Sequence, residues 1–330
     1  MTLGVAVVGL GVGEAHARAY AALSSCRVVW LHDLDVARAA RVAADFPDAA
    51  VAPDWQAIVA DRAVDVVSIA SYDDAHAAQV TEALSGGKHV FVEKPLCRTL
   101  AELRRVKQAW RQGGGHLGSN LVLRTSPAFL WLKEQIRAGR FGEVYAMDGD
   151  YLYGRLAKIT DGWRADVEDY SVLTGGGIHL VDLLMWLTAQ RPARVAAWGN
   201  RVCSAGSRFA FDDYQAAVFR FDSPLIGRIT ANFGCVHPHQ HVLRIFGERA
   251  TFIHDDQGPR LFGSRDAPAE PVALPPLPAS KGDLIPQFVD RIIGQRDGVV
   301  EAQHELDVVA ACVAADGAAR KGETVDVEYV

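Results

Sequence analysis

No apolar run in this chain reaches the ~18 uninterrupted residues that a membrane helix needs, so a membrane span is not expected. Nor is there a basic run: the net charge of -6 comes from interspersed Asp, Glu, Lys and Arg. A nucleic-acid partner, which needs a track of cations for its phosphates, is therefore disfavoured. The apolar start lacks the basic leader of a signal peptide, and Gly9, Gly11 and Gly13 interrupt it early. Cysteine is scarce. The five residues Cys26, Cys97, Cys203, Cys235 and Cys312 are odd in number and scattered, which argues for reduced thiols in a cytoplasm and against a disulfide frame or zinc knuckle. His237-Pro238-His239-Gln240-His241 invites a metal reading, but Pro238 disturbs strand alternation and no Cys or carboxylate cluster completes a ligand set. No metal is expected, and these read as sheet-surface histidines, one of them available to substrate or a neighbouring subunit.

What is present is a globular composition, 22 % charged and 49 % hydrophobic, over 330 residues. That length fits two domains better than one core. The first 120 residues alternate short β-branched runs (5–9, 27–33, 65–70, 88–92, 116–120) with Ala-rich helical stretches (14–24, 35–45, 74–85, 99–112), the pattern of a parallel sheet covered by helices. Gly113-Gly114-Gly115 is a strong helix stop. Beyond Asn120 the rhythm changes. A helix over 126–138 and a strand over 142–153 precede Gly175-Gly176-Gly177, which leads into a helix over 178–188. The segments 193–203, 213–221, 227–236 and 241–252 then lack crossover helices, so an antiparallel sheet is predicted, with a tight turn at 246–250. Pro268 to Pro278 reads as a surface connection, followed by helices over 284–294 and 302–319 and a closing strand over 323–330. The predicted division is 1–120 and 121–330.

The strand over 5–9 runs into Gly9-Leu10-Gly11-Val12-Gly13. A dinucleotide site needs such glycines, because the turn must be tight and the pyrophosphate must approach main-chain N–H groups at a helix N-terminus. The third glycine of the usual spacing is absent: position 14 is Glu14, and Gly13 stands one place early. Asp33 ends the second predicted strand about twenty residues after Gly13, where a carboxylate can accept from the adenosine ribose hydroxyls and repel a 2'-phosphate. NAD is favoured over NADP, with Arg38 able to soften the preference. The bland alternative is that Asp33 only caps the next helix, a task for which Asp35 is as well placed. Lys94, in Glu93-Lys94-Pro95 at the carboxyl end of a strand, and Asn120, ending another, stand where α/β sheets put ligands.

These pieces, with Ser71 to His76, Lys88-His89-Val90, Arg124 with Pro127, and Gly139 to Val144, resemble the Gfo/Idh/MocA family of oxidoreductases nearly end to end. The resemblance implies an α/β protein: a doubly wound Rossmann domain, then an α+β domain on a large, open, mostly antiparallel sheet through which many members form dimers or tetramers. It implies that Val12, Ser71, Tyr72, His76 and Glu93 join the glycines, Asp33, Lys94 and Asn120 around the cofactor. It also implies that Lys94 hydrogen-bonds the reacting oxygen, that His179 takes the proton, and that the Lys94-Pro95 bond is cis, as in many members. The expected activity is NAD-dependent oxidation of a secondary hydroxyl of a sugar, sugar derivative or cyclitol. The alternatives are an NADP-linked keto-sugar reductase and a non-catalytic, cofactor-sensing regulator.

One position departs from the family pattern. Members carry an aspartate four residues before the histidine, and here that residue is Gly175. Asp182, three residues after His179 on the same helix face, and Asp169 or Tyr170 are the candidates to compensate. Arg155, Trp163 and Arg164, with Tyr151 and Tyr153, form an aromatic and cationic group suited to sugar rings and their substituents.

Overall fold

Leu3–Val8 are six consecutive buried residues, as a strand covered on both faces requires. In the computed structural model, which describes residues 2–273, 280–294 and 301–330, this strand (β1) is followed by α1 (Gly13–Ala21), β2 (Cys26–His32), α2 (Val36–Ala43), β3 (Ala50–Val51), α3 (Trp55–Ala60), β4 (Val66–Ile69), α4 (His76–Ser85), β5 (His89–Val92), α5 (Leu100–Gly113) and β6 (Leu117–Ser119). The six strands form one sheet in the order β3-β2-β1-β4-β5-β6, all parallel. Such a doubly wound sheet binds ligands beyond its strand carboxyl ends, at the switch point between β1 and β4. Helix α5 has a Thr99/Glu102 capping box and ends at Gly114 in the left-handed conformation, φ 69°.

After α6 (Pro127–Arg137) come β7 (Val144–Leu152), α7 (Ala157–Thr160) and α8 (Ile178–Thr188), then β8 (Arg194–Asn200), β9 (Tyr214–Arg220), β10 (Ile226–Asn232), β11 (Gln240–Gly247), β12 (Thr251–Asp255), β13 (Gly258–Phe262) and β14 (Glu270–Pro271). The chain closes with α9 (Ile285–Ile292), α10 (Ala302–Lys321) and β15 (Val325–Asp326). The second sheet has nine strands in the order β14-β13-β12-β11-β7-β10-β9-β8-β15. It is antiparallel except for β7 beside β10. Helix α8 lies against one face, where small residues let it come close: a Cβ at Gly149 would press on Leu180, and one at Gly227 on Leu184.

Two compact units result, one of 1–125, 278–306 and 330, the other of 126–277 and 307–329. The sequence reading assigns all of 121–330 to the second domain, whereas α9 belongs to the first. Its Ile285, Phe288 and Val289, with Leu284, share a buried cluster with Val5, Val7, Tyr20 and Phe91, and the Phe91 and Phe288 rings are 5.3 Å apart. The expected surface connection Pro268 to Pro278 contains the edge strand β14, which pairs with β13; residues 274–278 lie outside the described residues.

Candidate active site

The glycine turn after β1 is shaped by close approach. Gly9 adopts φ +83°, and a Cβ there would sit 2.3 Å from the Ala70 carbonyl oxygen, so only glycine fits. At Gly11 a Cβ would meet nothing within 4 Å: the turn is open at that point, a cradle for a ligand. Gly13 is the first residue of α1, and no side chain caps that helix. Its N-terminal N–H groups are the ones suited to a pyrophosphate.

Asp33 stands beside this turn. Its carboxylate accepts from the Leu10 N–H at 2.7 Å and the Asp35 N–H at 2.8 Å, and Arg38 Nη1 donates to it at 3.2 Å. Asp35, not Asp33, caps α2. Arg38 is thus already engaged by the carboxylate that would repel a 2'-phosphate, which favours NAD.

The ends of β5 and β6 meet in a buried polar cluster. Glu93 Oε1 accepts from Asn120 Nδ2 at 2.6 Å and lies 3.3 Å from His16 Nε2. Its Oε2 accepts from the Lys94 main-chain N–H at 3.3 Å. The other His16 nitrogen faces the Ser68 hydroxyl at 3.0 Å, and Asn120 Nδ2 also donates to the Lys281 carbonyl at 2.8 Å. A carboxylate only accepts, so the His16 Nε2 that faces Glu93 carries a hydrogen. Burial would raise the Glu93 carboxyl, but the His16 hydrogen bond and the charges of His16, Lys281 and Lys94 outweigh it and hold it down to about 2. Glu93 is therefore a fixed anion under the Lys94 backbone. The Lys94-Pro95 bond is cis. Asn120 Oδ1 is buried without a hydrogen-bond partner among the described residues, an acceptor suited to the carboxamide of a nicotinamide. His76 bridges the Pro95 carbonyl at 2.7 Å and the Ser71 carbonyl at 3.1 Å, bracing the loops after β4 and β5. Tyr72 is 48 % exposed.

In the second unit, Gly175-Gly176-Gly177 lie in a π-turn, Leu173–Gly177, that feeds directly into α8. Ser171 accepts the Leu173 and Thr174 N–H groups, each at 3.1 Å, and donates to Asp316 on α10 at 2.5 Å. Thr174 donates to the same carboxylate at 2.6 Å. Each glycine admits a neighbouring side chain against the helix backbone: a Cβ at 175 would be 2.3 Å from the Tyr170 hydroxyl, one at 176 would be 2.4 Å from the Tyr151 ring, and one at 177 would be 2.8 Å from Leu173. His179 and Asp182 follow, both buried. The His179 ring is edge-on to His241 at 5.9 Å, and His241 in turn meets Tyr151 at 5.2 Å and His239 at 4.9 Å. Arg155 lies over Tyr153 at 5.3 Å and Arg164 over Trp163 at 4.4 Å.

The predicted residues thus fall into two groups, each assembled within its own unit. His241 corrects the surface reading: only 7 % of it is exposed, because β11 turns it onto the α8 face. Sequence reasoning gives no role to His16, Ser68, Lys281 or Asp316. His16 was within reach, since Gly13, His16, Ala17 and Tyr20 are the buried stripe of α1.

Residues 3–120 match the family model described as the oxidoreductase family with an NAD-binding Rossmann fold, and residues 129–253 match the GFO/IDH/MocA C-terminal domain. The chain belongs to the GFO/IDH/MocA family of oxidoreductases. A curated relative in this family, inositol 2-dehydrogenase of Acidothermus cellulolyticus, is 28 % identical over 323 residues, covering 96 % of this chain and 91 % of that one. Inositol 2-dehydrogenase 2 of Saccharopolyspora erythraea is 32 % identical over 222 residues, 66 % of this chain and 62 % of that one. The solved complex of levoglucosan dehydrogenase with NADH superposes with a TM-score of 0.87 at 22 % identity, over 100 % of both chains, a likeness of fold. As a member of the GFO/IDH/MocA family, this protein is an oxidoreductase with an NAD-binding first domain.

Proposed function

We propose that this protein is an NAD-dependent dehydrogenase of a secondary hydroxyl on a sugar, sugar derivative or cyclitol. The observation that carries the reading is Lys94 at the carboxyl end of β5, its backbone anchored on the buried Glu93 carboxylate, in the same sheet that presents Asp33 and the open turn at Gly11. Bound NAD supplies a hydride acceptor. Lys94 donates a hydrogen bond to the reacting oxygen as it becomes a carbonyl, and His179 takes the hydroxyl proton. The same two groups serve ketone reduction in reverse. Gly9, Gly11, Val12, Gly13, Asp33, Ser71, Glu93 and Asn120 bind the cofactor, and Arg155, Trp163, Arg164 and Asp182 shape the substrate side. Stacked Tyr151 and Tyr153 with the adjacent guanidinium support a ring bearing several hydroxyls. The names of the relatives support the same class, which includes inositol 2-dehydrogenases, levoglucosan dehydrogenase and a 1,5-anhydro-D-fructose reductase.

We place the protein in the cytoplasm as a homodimer or homotetramer. The five cysteines are all free. The sheet face opposite α8 carries Trp198, 61 % exposed, and Ile226, 49 % exposed, beside the charged cluster of Asp150, Arg228 and Arg244. Sedimentation showing a monomer at micromolar concentration would remove the assembly. The activity is tested by a panel of sugars, aminosugars, nucleotide sugars and inositols with NAD and NADP, scored for reduced cofactor. Turnover of at least one polyol with NAD is expected, and turnover of none overturns the reading.

A further inference from the structure

His239 and His241 flank Gln240 at the head of β11, and alternate residues of an extended chain share a face. His241 is the ladder partner of Tyr151 on β7, and Tyr151 packs against Gly176, so this is the face that α8 covers. On it three imidazoles make a row. His179 meets His241 edge-on at 5.9 Å, and His241 meets His239 at 4.9 Å. The row runs from the interior outward: His179 is 5 % exposed, His241 is buried, and His239 is exposed. Two imidazoles joined by an N–H···N bond have ring centroids about 5 Å apart. The outer pair stands at that separation, and the inner pair exceeds it by about 1 Å, a gap that a ring rotation or a bridging water closes. Asp182, the carboxylate on the helix of His179, offers no such exit. It is fully buried, and the Cys312 thiol on α10 is pushed up by burial and then by the Asp316 and Asp182 charges, which puts Asp182 on the core side.

We infer that His241 and His239 are a proton relay that carries the hydroxyl proton from His179 to solvent during alcohol oxidation. This rests on the reading of His179 as the proton acceptor. The reacting C–H hydrogen leaves with its electron pair for the bound nicotinamide, and the O–H bond breaks toward His179. To accept there, a neutral His179 presents a bare nitrogen to the substrate and carries its hydrogen on the other, the one that serves His241. As the inner nitrogen takes the substrate proton, the outer N–H gives one to His241. His241 passes one from its far nitrogen to His239, and His239 releases one to water. The sum is one proton freed for each alcohol oxidised, with no imidazolium left beside the new carbonyl. Each ring ends with its hydrogen on the opposite nitrogen, and hops in the reverse direction, ending on water in the emptied site, restore the row. The same row run backward supplies the proton for ketone reduction. The other ionisable groups along it are the phenols of Tyr151 and Tyr153 and the Arg155 guanidinium over Tyr153. Burial holds the Tyr151 phenol protonated far above neutral pH, so it does not divert the proton.

The test is a stopped-flow single turnover of the best polyol in weakly buffered solution, with NADH followed by absorbance and the proton by an indicator dye. In the wild type the proton is expected to appear in step with NADH. His241→Phe keeps a ring against Tyr151 and removes both nitrogens. Its proton release is expected to lag behind NADH, and NADH formation to slow by about tenfold or more. His241→Ala leaves room for a small base, so added imidazole is expected to restore its rate, a rescue that a purely structural loss would not show. His239→Gln, at the exposed end, should give a smaller lag. In the cofactor-free protein, 15N spectra assigned with His179→Asn should show the His179 ring signals moved by His241→Phe. Proton release in step with NADH in both His241 variants, a slowed His241→Ala that imidazole does not rescue, or unmoved His179 signals overturns the relay. If His179→Asn keeps full turnover, the reading of His179 fails and the relay with it. If His179→Asn is inactive while His241→Phe behaves as wild type, that reading stands and the relay alone fails.

Discussion

Glu93→Gln removes one charge from the cluster under Lys94 and leaves its shape. The wild-type carboxyl, 8 % exposed, is held down to about 2 from an ordinary 4.5. That difference corresponds to about 3 kcal/mol of folded-state stabilisation at neutral pH. The folded value lies below the unfolded one, so this stability is complete above pH 4.5 and drains away as pH falls toward 2. It should be down to about 2 kcal/mol at pH 3.5. Glutamine cannot replace it: its amide must turn one N–H pair toward either the Asn120 donor or the Lys94 N–H. Glu93→Gln should therefore lower Tm by about 6–12 °C at pH 7, and urea melts at pH 7 and 3.5 should show the gap to wild type narrowing in acid. An equal gap at both pH values would refute the claim that Glu93 is a buried anion.

Asp316 gives the opposite sign. Burial pushes its carboxyl up to about 6, against the hydrogen bonds from Ser171 and Thr174. The folded value lies above the unfolded 3.8, so ionisation above pH 6 costs about 3 kcal/mol that vanishes as pH falls toward 4. Asp316→Asn should gain stability relative to wild type at pH 7.5 and lose that advantage near pH 4, and a pH-independent difference in Tm would contradict this. Gly176→Ala would put a methyl 2.4 Å from Tyr151 and 2.9 Å from Phe233. Overpacking of about 1–3 kcal/mol should exceed the helix-propensity gain of ~1 kcal/mol and lower Tm, whereas a higher Tm would mean that the rings yield freely.

Most of the first domain was legible because its elements are long and periodic, and α8 was found residue for residue from the glycines before it. The short elements β3 and α3 were not, since two residues such as Ala50–Val51 carry no pattern of their own. The tight turn expected at 246–250 between two strands is where the structure joins β11 to β12. The return of α9 to the first unit and the parallel pairing of β7 with β10 depend on contacts between distant segments, which local pattern does not encode. The candidate site divides the same way. Gly9, Asp33, Lys94 and His179 announce themselves by position after a strand or a glycine run. The partners of Glu93 lie at residues 16, 94, 120 and 281, and the Tyr170 hydroxyl meets residue 175 only because an exposed Asp169 turns the chain.

The central claim is that Lys94 does chemistry on a substrate held beside NAD. Lys94→Ala measures it most directly, with NAD affinity by calorimetry and turnover of the best polyol from the panel followed in parallel. The account predicts unchanged NAD binding with turnover reduced by about 10²-fold or more. Wild-type turnover in a folded, NAD-binding Lys94→Ala protein would contradict it.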